Sequence, residues 1–373
     1  MKSNLIDSPE GILYLTKSSN VTSTFLNFLV INAERILLIK LRAIGDVLLS
    51  TPVIYNLRQA YPGATIDFLT EEFAADVVRG NPWVNDVITF KKKRDGSIGL
   101  LRTIRSRRYG LVIDLFCNPR SALVTRISGA QTRVGFPFRG RKYAYNVYVT
   151  SRSDFVHNVE FNLDALRRLD IPIVSSQPYF PVDDASKVFA DSWMKNEHLK
   201  NKTIIALNPS GGWETKRWGL DHFAQFGDWV AEKYDVEILL VWGPGEEEDA
   251  SAIQTMMKHP SHKIPRTSLK QLGAILQQCS FVVSNDSGPM HIAAALGVPT
   301  LGIFGPTTPR LQGPYGGQHA WVRNEGLDCL ECNLTKCPIG NICMTRLDVD
   351  RVVSAFDALV QKNAKHREAS LQK

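Results

Sequence analysis

The chain has 373 residues, of which 44% are hydrophobic and 22% charged, with a formal net charge of +7. These values exclude a disordered, collagenous or coiled-coil chain, and the length exceeds what one core serves, so two domains are expected. The best apolar run, residues 24–31, is far shorter than the roughly 20 residues that span a bilayer and lacks the cleavage signal of a leader.

Residues 1–32 read as an N-terminal extension, with an interfacial apolar patch as the alternative. Strand and helix then alternate. The apolar, β-branched run 35–41 reads as a buried strand. A helix is expected over 45–60, stopped by Tyr61-Pro62-Gly63. Next come a strand at 64–70, a short helix to 79, a strand at 86–90, a basic helix at 97–108, a strand at 109–116 and a helix near 121–128. The stretch 171–184 holds three prolines and two serines and breaks the periodicity. It marks the expected boundary between a first domain at 33–175 and a second at 184–345.

In the second domain, strands are expected at 203–208, 236–242, 281–285 and 298–304. Helices are expected at 220–234, 246–257, 268–277 and 289–296. Residues 346–373 form a closing segment with an amphipathic helix at 348–361. Such alternation builds parallel, doubly wound sheets, so the chain reads as an α/β protein of two Rossmann-like domains flanking a cleft. Ligands bind such sheets at the carboxyl ends of their strands, which directs attention to the strand-to-helix turns.

The first of these turns runs from Lys40 to Asp46. Asp46 lies in the first turn of the following helix. It is either an acid that suits the helix dipole or a general base aimed into the cleft. The second is Asn208-Pro209-Ser210-Gly211-Gly212, with Lys216-Arg217-Trp218 close behind. Backbone N–H groups and a Lys there resemble a phosphate cradle, without the spacing of a Walker loop. The third is Asn285-Asp286-Ser287-Gly288, with His291 one turn into the helix. Asp286 or Ser287 could simply cap that helix, and His291 could be a core histidine. The fourth, Gly305-Pro306-Thr307, is another Gly/Thr turn after a strand.

Charge is divided unevenly between the halves. Residues 91–142 carry 14 Lys or Arg against two acids, Asp95 and Asp114, a net of +12. A one-signed excess of that size favours an anionic partner over a merely solvated face. With three anion-suited turns in the second half, the pattern fits a nucleotide-diphosphate donor on one domain and an anionic acceptor on the other.

Four cysteines, Cys329, Cys332, Cys337 and Cys343, follow C-x2-C-x4-C-x5-C spacing. Thiolates this close suit a structural zinc or iron, with free thiols or two disulfides as alternatives. Cys117 and Cys279 sit alone in apolar contexts, which argues for a reducing, cytoplasmic compartment.

The segments ILLIKLRAIGDVLLSTP, KRW and SNDSGPMHIAAALGVPTLGIFGPT, in that order, resemble the ADP-heptose:lipopolysaccharide heptosyltransferases of glycosyltransferase family 9. The resemblance runs from about Arg35 to the last helix. It implies a GT-B fold and inverting, metal-independent transfer of heptose from ADP-heptose to a Kdo–lipid A acceptor in lipopolysaccharide core synthesis. It implies Asp46 as base, and Lys216 on the diphosphate. Asp286, Ser287, Gly288 and His291 match the donor motif. Ser210, Gly211, Gly305 and Thr307 are further donor-side candidates, with Glu246, or Glu247 beside it, in the region where an acid contacts the ribose.

Lys40, Arg42, Arg58, Arg120 and Arg139 are the acceptor-side candidates. The Ser210-Gly211-Gly212 loop departs from members with adjacent threonines there. Related heptosyltransferases that modify autotransporter proteins carry a four-cysteine iron site with wider spacing. This keeps a protein or another surface glycan open as the acceptor. A non-catalytic nucleotide-sugar-binding protein is the alternative of another class. No nucleic-acid-binding module is recognised, and contact with the cytoplasmic face of the inner membrane is expected to be peripheral.

Overall fold

The computed structural model describes residues 33–90, 94–138, 140–153 and 155–371. Residues 1–32 and Arg139 lie outside the described residues. Among the described residues, twelve strands form two six-stranded sheets in which every pairing is parallel.

The first sheet contains β1 (Arg35–Ile39), β2 (Thr65–Glu71), β3 (Asp86–Phe90), β4 (Leu111–Asp114), β5 (Thr132–Gly135) and β6 (Val147–Tyr148). Its order is β3-β2-β1-β4-β5-β6. The second contains β7 (Ile204–Asn208), β8 (Glu237–Leu240), β9 (Ser261–Lys263), β10 (Phe281–Asn285), β11 (Thr300–Phe304) and β12 (Ala320–Arg323), in the order β12-β11-β10-β7-β8-β9. The two orders are the same once the second set is counted from its own first strand. Each sheet therefore has one point where the winding reverses: between β1 and β4, and between β7 and β10.

Helices clothe both sheets. The first half carries α1 (Ile44–Leu48), α2 (Thr51–Ala60), α3 (Arg94–Ser106), α4 (Pro119–Ser128) and α5 (Asn158–Arg167). After α6 (Asp184–Asn196) the second half carries α7 (Leu220–Tyr234), α8 (Glu247–Met256), α9 (Leu269–Leu276), α10 (Gly288–Ala295), α11 (Pro309–Gln312), α12 (Ile342–Thr345) and α13 (Val349–Leu371). No described helix is long and apolar enough to cross a membrane.

The expected helix at 45–60 is two helices. Pro52 has no N–H to give the carbonyl of Leu48, and the Thr51 hydroxyl donates to that carbonyl instead at 2.7 Å. Ser50 caps the break by donating to Val47 O at 2.7 Å. Elements that the periodicity did not reveal are short or polar. β5 carries Arg133, whose guanidinium donates to the carbonyls of Ala130 and Ala144. α6 opens at an Asp183 carboxylate that accepts from Ser186 N at 2.7 Å.

Asp67, in the centre of β2, is buried beneath the Arg107 guanidinium at 2.7 Å and the Tyr109 hydroxyl at 2.6 Å. The second Arg107 Nη reaches Asp86 at 2.5 Å. Removing the cation strands a buried carboxylate, so Arg107→Ala should cost on the order of 3 kcal/mol in urea unfolding. A change below about 0.5 kcal/mol would show that the pair is solvated.

Candidate active site

β1 delivers the chain to the reversal point of the first sheet. There Asp46, in the first turn of α1, bends back so that its Oδ2 accepts the Ala43 N–H at 3.0 Å. A third-position carboxylate returning to the cap amide fixes the side chain's direction. The carboxyl stays part-exposed.

In the second sheet, two turns at the reversal point are tied together. Asn208 Nδ2 donates to the hydroxyls of Ser284 and Ser287, each at 2.8 Å. Asn285 Nδ2 donates to Pro209 O at 2.7 Å, and its Oδ1 accepts the Trp218 N–H at 3.2 Å. Asp286 is buried and meets Lys216 Nζ at 2.6 Å and the Thr307 hydroxyl at 2.6 Å. Lys216 also lies over the Trp213 ring, 4.6 Å from its centroid. Arg217 donates to Gly211 O at 3.0 Å and pairs with Glu246 at 2.8 Å and Asp249 at 3.1 Å. Glu246 also accepts the Gly243 N–H at 3.2 Å. Three buried polar atoms on these turns, Asn208 Oδ1, Ser210 Oγ and His291 Nδ1, have no hydrogen-bond partner among the described residues.

The two reversal points meet where α1 packs on α10. A Cβ on Gly45 would lie 2.4 Å from Cδ2 of His291, and one on Gly288 would lie 3.1 Å from Ile44. A pocket of about 350 Å³ opens beside this contact. Asp46, Lys216, Asp286, Ser287, Gly288 and His291 line it, with Phe73, Trp213 and Gln312 at its walls. The pocket thus holds a part-exposed carboxylate, an ammonium and the N-terminus of α10. That set can accept a proton on one side and hold an anion on the other. Burial drives the His291 imidazole down to about 4, so it stays neutral near pH 7.

Not every expected contact reaches this pocket. Lys40 is buried, and its ammonium donates to Leu115 O at 3.1 Å and Asn162 Oδ1 at 3.5 Å. It joins β1 to β4 and α5, so its acceptor-side expectation is corrected to an inward one. Arg58 is corrected likewise. Its guanidinium donates to the carbonyls of Pro62, Ala64 and Trp83 and to Asn85 Oδ1, at the amino ends of β2 and β3. That is the edge opposite Asp46. Arg120 does stand on the carboxyl edge, pairing with Glu71 at 3.0 Å over the Phe90 ring. Arg42 is exposed in the turn between β1 and α1, beside Asp46.

The four-cysteine loop braces the turns after β7 and β11 from behind. Thr215 donates to Leu334 O at 2.8 Å, and Asn333 N donates to Pro306 O at 2.8 Å. A Cβ on Gly305 would lie 2.5 Å from the Met344 sulfur and 2.9 Å from Cys343 Sγ. Cys329, Cys332, Cys337 and Cys343 all line one 70 Å³ cavity. Burial, then the neighbouring Cys329 and Cys332, push the Cys343 thiol up to about 11. Among the described residues, however, no three His, Cys, Asp or Glu side chains are gathered as metal ligands.

Thr215 and Phe73 were missed by sequence reasoning, which named Asn208 and Asn285 only as the first residues of their turns and not as the ties between them. Polar Asn at the ends of apolar strands β7 and β10 was the available signal. Phe73 and Thr215 gave none.

Two Rossmann-like sheets meeting at their reversal points, with a pocket between them, define a sugar transferase of the GT-B class. The chain belongs to glycosyltransferase family 9 (heptosyltransferase), which matches residues 98–343. It is 26% identical over 359 residues to lipopolysaccharide heptosyltransferase 1 of Pseudomonas aeruginosa, covering 87% of this chain and 98% of that one. Among solved structures, it superposes on a family 9 glycosyltransferase from Veillonella parvula with TM-score 0.77 at 24% identity, covering 89% and 98% of the two chains. It superposes on the ADP-heptose lipopolysaccharide heptosyltransferase II of Escherichia coli with TM-score 0.72 at 21% identity, covering 88% and 99%. The iron-containing dodecameric glycosyltransferase TibC of enterotoxigenic E. coli shares the fold more distantly, with TM-score 0.53 at 12% identity over 88% and 76% of the chains. At such identities the structural likenesses show fold alone.

Gly45→Ala places a methyl group against the His291 ring. The fold should persist by circular dichroism while transferase turnover falls about tenfold or more, because the two halves of the pocket are forced apart. Turnover equal to the parent's would mean that the α1–α10 contact does not shape the site. His291 also gives stability a pH dependence. An unfolded imidazole binds its proton near 6.5 and the folded one near 4. Its contribution is therefore complete above about 6.5 and is lost as pH falls towards 4. Urea titrations of His291→Gln should show a shallower decline over that window than the parent. Equal slopes would contradict burial of a neutral ring.

Proposed function

We propose that this chain transfers heptose from ADP-heptose to the inner core of a Kdo–lipid A acceptor in lipopolysaccharide core synthesis, at the cytoplasmic face of a membrane. The carrying observation is that Asp46, from the first sheet, shares one pocket with Lys216 and the Asp286–His291 turn of the second. Family membership and the similarity to lipopolysaccharide heptosyltransferase 1 support this reading.

In this reading Asp46 takes the proton of the acceptor hydroxyl as that oxygen attacks the anomeric carbon. The bond from that carbon to the diphosphate breaks on the opposite face, and ADP departs with inversion. Lys216, held by Asp286, and the N-terminus of α10 neutralise the departing diphosphate. That work is assigned to them rather than to a metal. Ser210, Gly211, Ser287, Gly288, Gly305 and Thr307 shape the diphosphate and sugar positions, and Glu246 meets the ribose. Asn208 Oδ1, Ser210 Oγ and His291 Nδ1 supply polar partners to a bound donor. Arg42 and Arg120 face the anionic acceptor.

Purified protein incubated with ADP-heptose and Kdo–lipid A should yield a product heavier by one heptose, read by mass spectrometry. No transfer to any lipid A precursor would overturn the acceptor assignment. Transfer to an autotransporter passenger alone would establish a protein acceptor instead, the reading that the cysteine loop favours.

The shared cavity of the four thiols supports a structural zinc or iron, bound after the loop tightens and the thiols lose their protons. Such a site leaves catalysis to the residues above. Protein purified without chelator should carry about one such metal per chain by elemental analysis. Metal-free protein with full activity would overturn this part.

A further inference from the structure

α1, the helix that carries Asp46, is five residues long. So short a helix does not hold itself, and its end carbonyls need partners from outside. Two find them locally: Val47 O accepts from the Ser50 hydroxyl and Leu48 O from that of Thr51. The third, Leu49 O, is taken by another element, because the Asn162 amide of α5 donates to it at 3.1 Å. The same side chain reaches the start of the segment, where Asn162 Oδ1 accepts from the Lys40 ammonium at 3.5 Å. One amide group therefore clamps the chain both before and after Asp46.

The clamp has one orientation. Asn162 and Lys40 are buried, and the other acceptor of the ammonium is Leu115 O at 3.1 Å. Lys40 pairs with no carboxylate among the described residues, so it depends on these two neutral oxygens. Losing either leaves a buried charge poorly solvated. Turning the amide over would set its NH2 against the ammonium and its oxygen against the Leu49 carbonyl. Asp46 itself is held within the segment, by the Ala43 N–H, so its place in the pocket follows the place of the segment.

α5 is tied to the opposite wall as well. His157 Nδ1 accepts the Val159 N–H at 3.2 Å, so Nε2 carries the proton and donates to Gly313 O at 3.0 Å. Glu160 accepts from the Tyr315 hydroxyl at 2.8 Å. Gly313 follows Gln312, which lines the pocket from the second half.

We propose that Asn162 is a positioning residue for Asp46, acting through both ends of the turn and helix that carry the carboxylate. It touches no substrate, and it sets where the carboxylate stands when the acceptor hydroxyl arrives. The assignment rests on the reading of Asp46 as the base.

Asn162→Ala and Asn162→Asp, each made in the parent and in Asp46→Asn, are compared in single-turnover transfer from ADP-heptose to Kdo–lipid A. Asn162→Ala should lower turnover about tenfold or more in the parent, with ADP affinity essentially unchanged. In Asp46→Asn it should lower turnover less than about twofold, since the group it positions is gone. Asn162→Asp keeps an acceptor for Lys40 but offers Leu49 O no donor. It should melt closer to the parent than Asn162→Ala does, yet turn over as slowly. Arg107→Ala, which removes a buried ion pair from the same sheet, controls for lost stability and should turn over like the parent. Hydrogen exchange over residues 41–50 tests the clamp without any acceptor, and Asn162→Ala should speed it about tenfold. Parent-like turnover in folded Asn162→Ala or in Asn162→Asp, an equal fold-loss in both backgrounds, or unchanged exchange overturns the proposal. Parent-like turnover in Asp46→Asn overturns the base assignment instead. Exchange that quickens as expected, with no transfer by the parent, leaves the clamp standing and removes the heptosyltransferase reading.

Discussion

The site depends on one close approach. Gly45 stands against the His291 ring at a distance that no side chain would permit, and this lets the short helix after β1 rest on the helix after β10. Both helices start where the winding of their own sheet reverses, so the contact joins two crevices of the kind that bind ligands. Asp46 gains its setting from this contact. Within its own domain it is an acid near a helix start, and opposite Lys216 it becomes one wall of a pocket.

The second wall is held by polar ties in place of apolar packing. Asn208 and Asn285 lock the turns after β7 and β10 together, and Arg217 holds Gly211 and Glu246. The close Lys216–Asp286 pair contributes little net stability once its desolvation is counted. Its value is positional, since it sets a cation beside the N-terminus of α10 where an anion can share it. Behind these turns the cysteine loop grips the residue before Lys216 and the carbonyl of Pro306. The loop that carries the four thiols therefore buttresses the turns around Lys216 and Thr307.

Much of the fold was legible because buried parallel strands read as continuous apolar runs, as with β1, β7 and β10. The break in the 45–60 helix was not, since it hangs on Pro52 and on hydroxyls that take over backbone partners. β5, β6 and α5 escaped because charged or short segments carry no clear period. At the site, the turns were legible from Gly and Ser after apolar strands. The inward duties of Lys40 and Arg58 were not, because a cation's direction depends on which carbonyls the fold sets beside it.

The central claim is that Asp46 accepts the proton of the incoming hydroxyl in a pocket whose other wall binds ADP. It is tested most directly by Asp46→Asn, with single-turnover transfer and ADP affinity measured on the same preparation. The account predicts turnover lower by about 10²- to 10⁴-fold with ADP affinity essentially unchanged. Turnover like the parent's, or a loss of ADP binding that matches the loss of turnover, would contradict it.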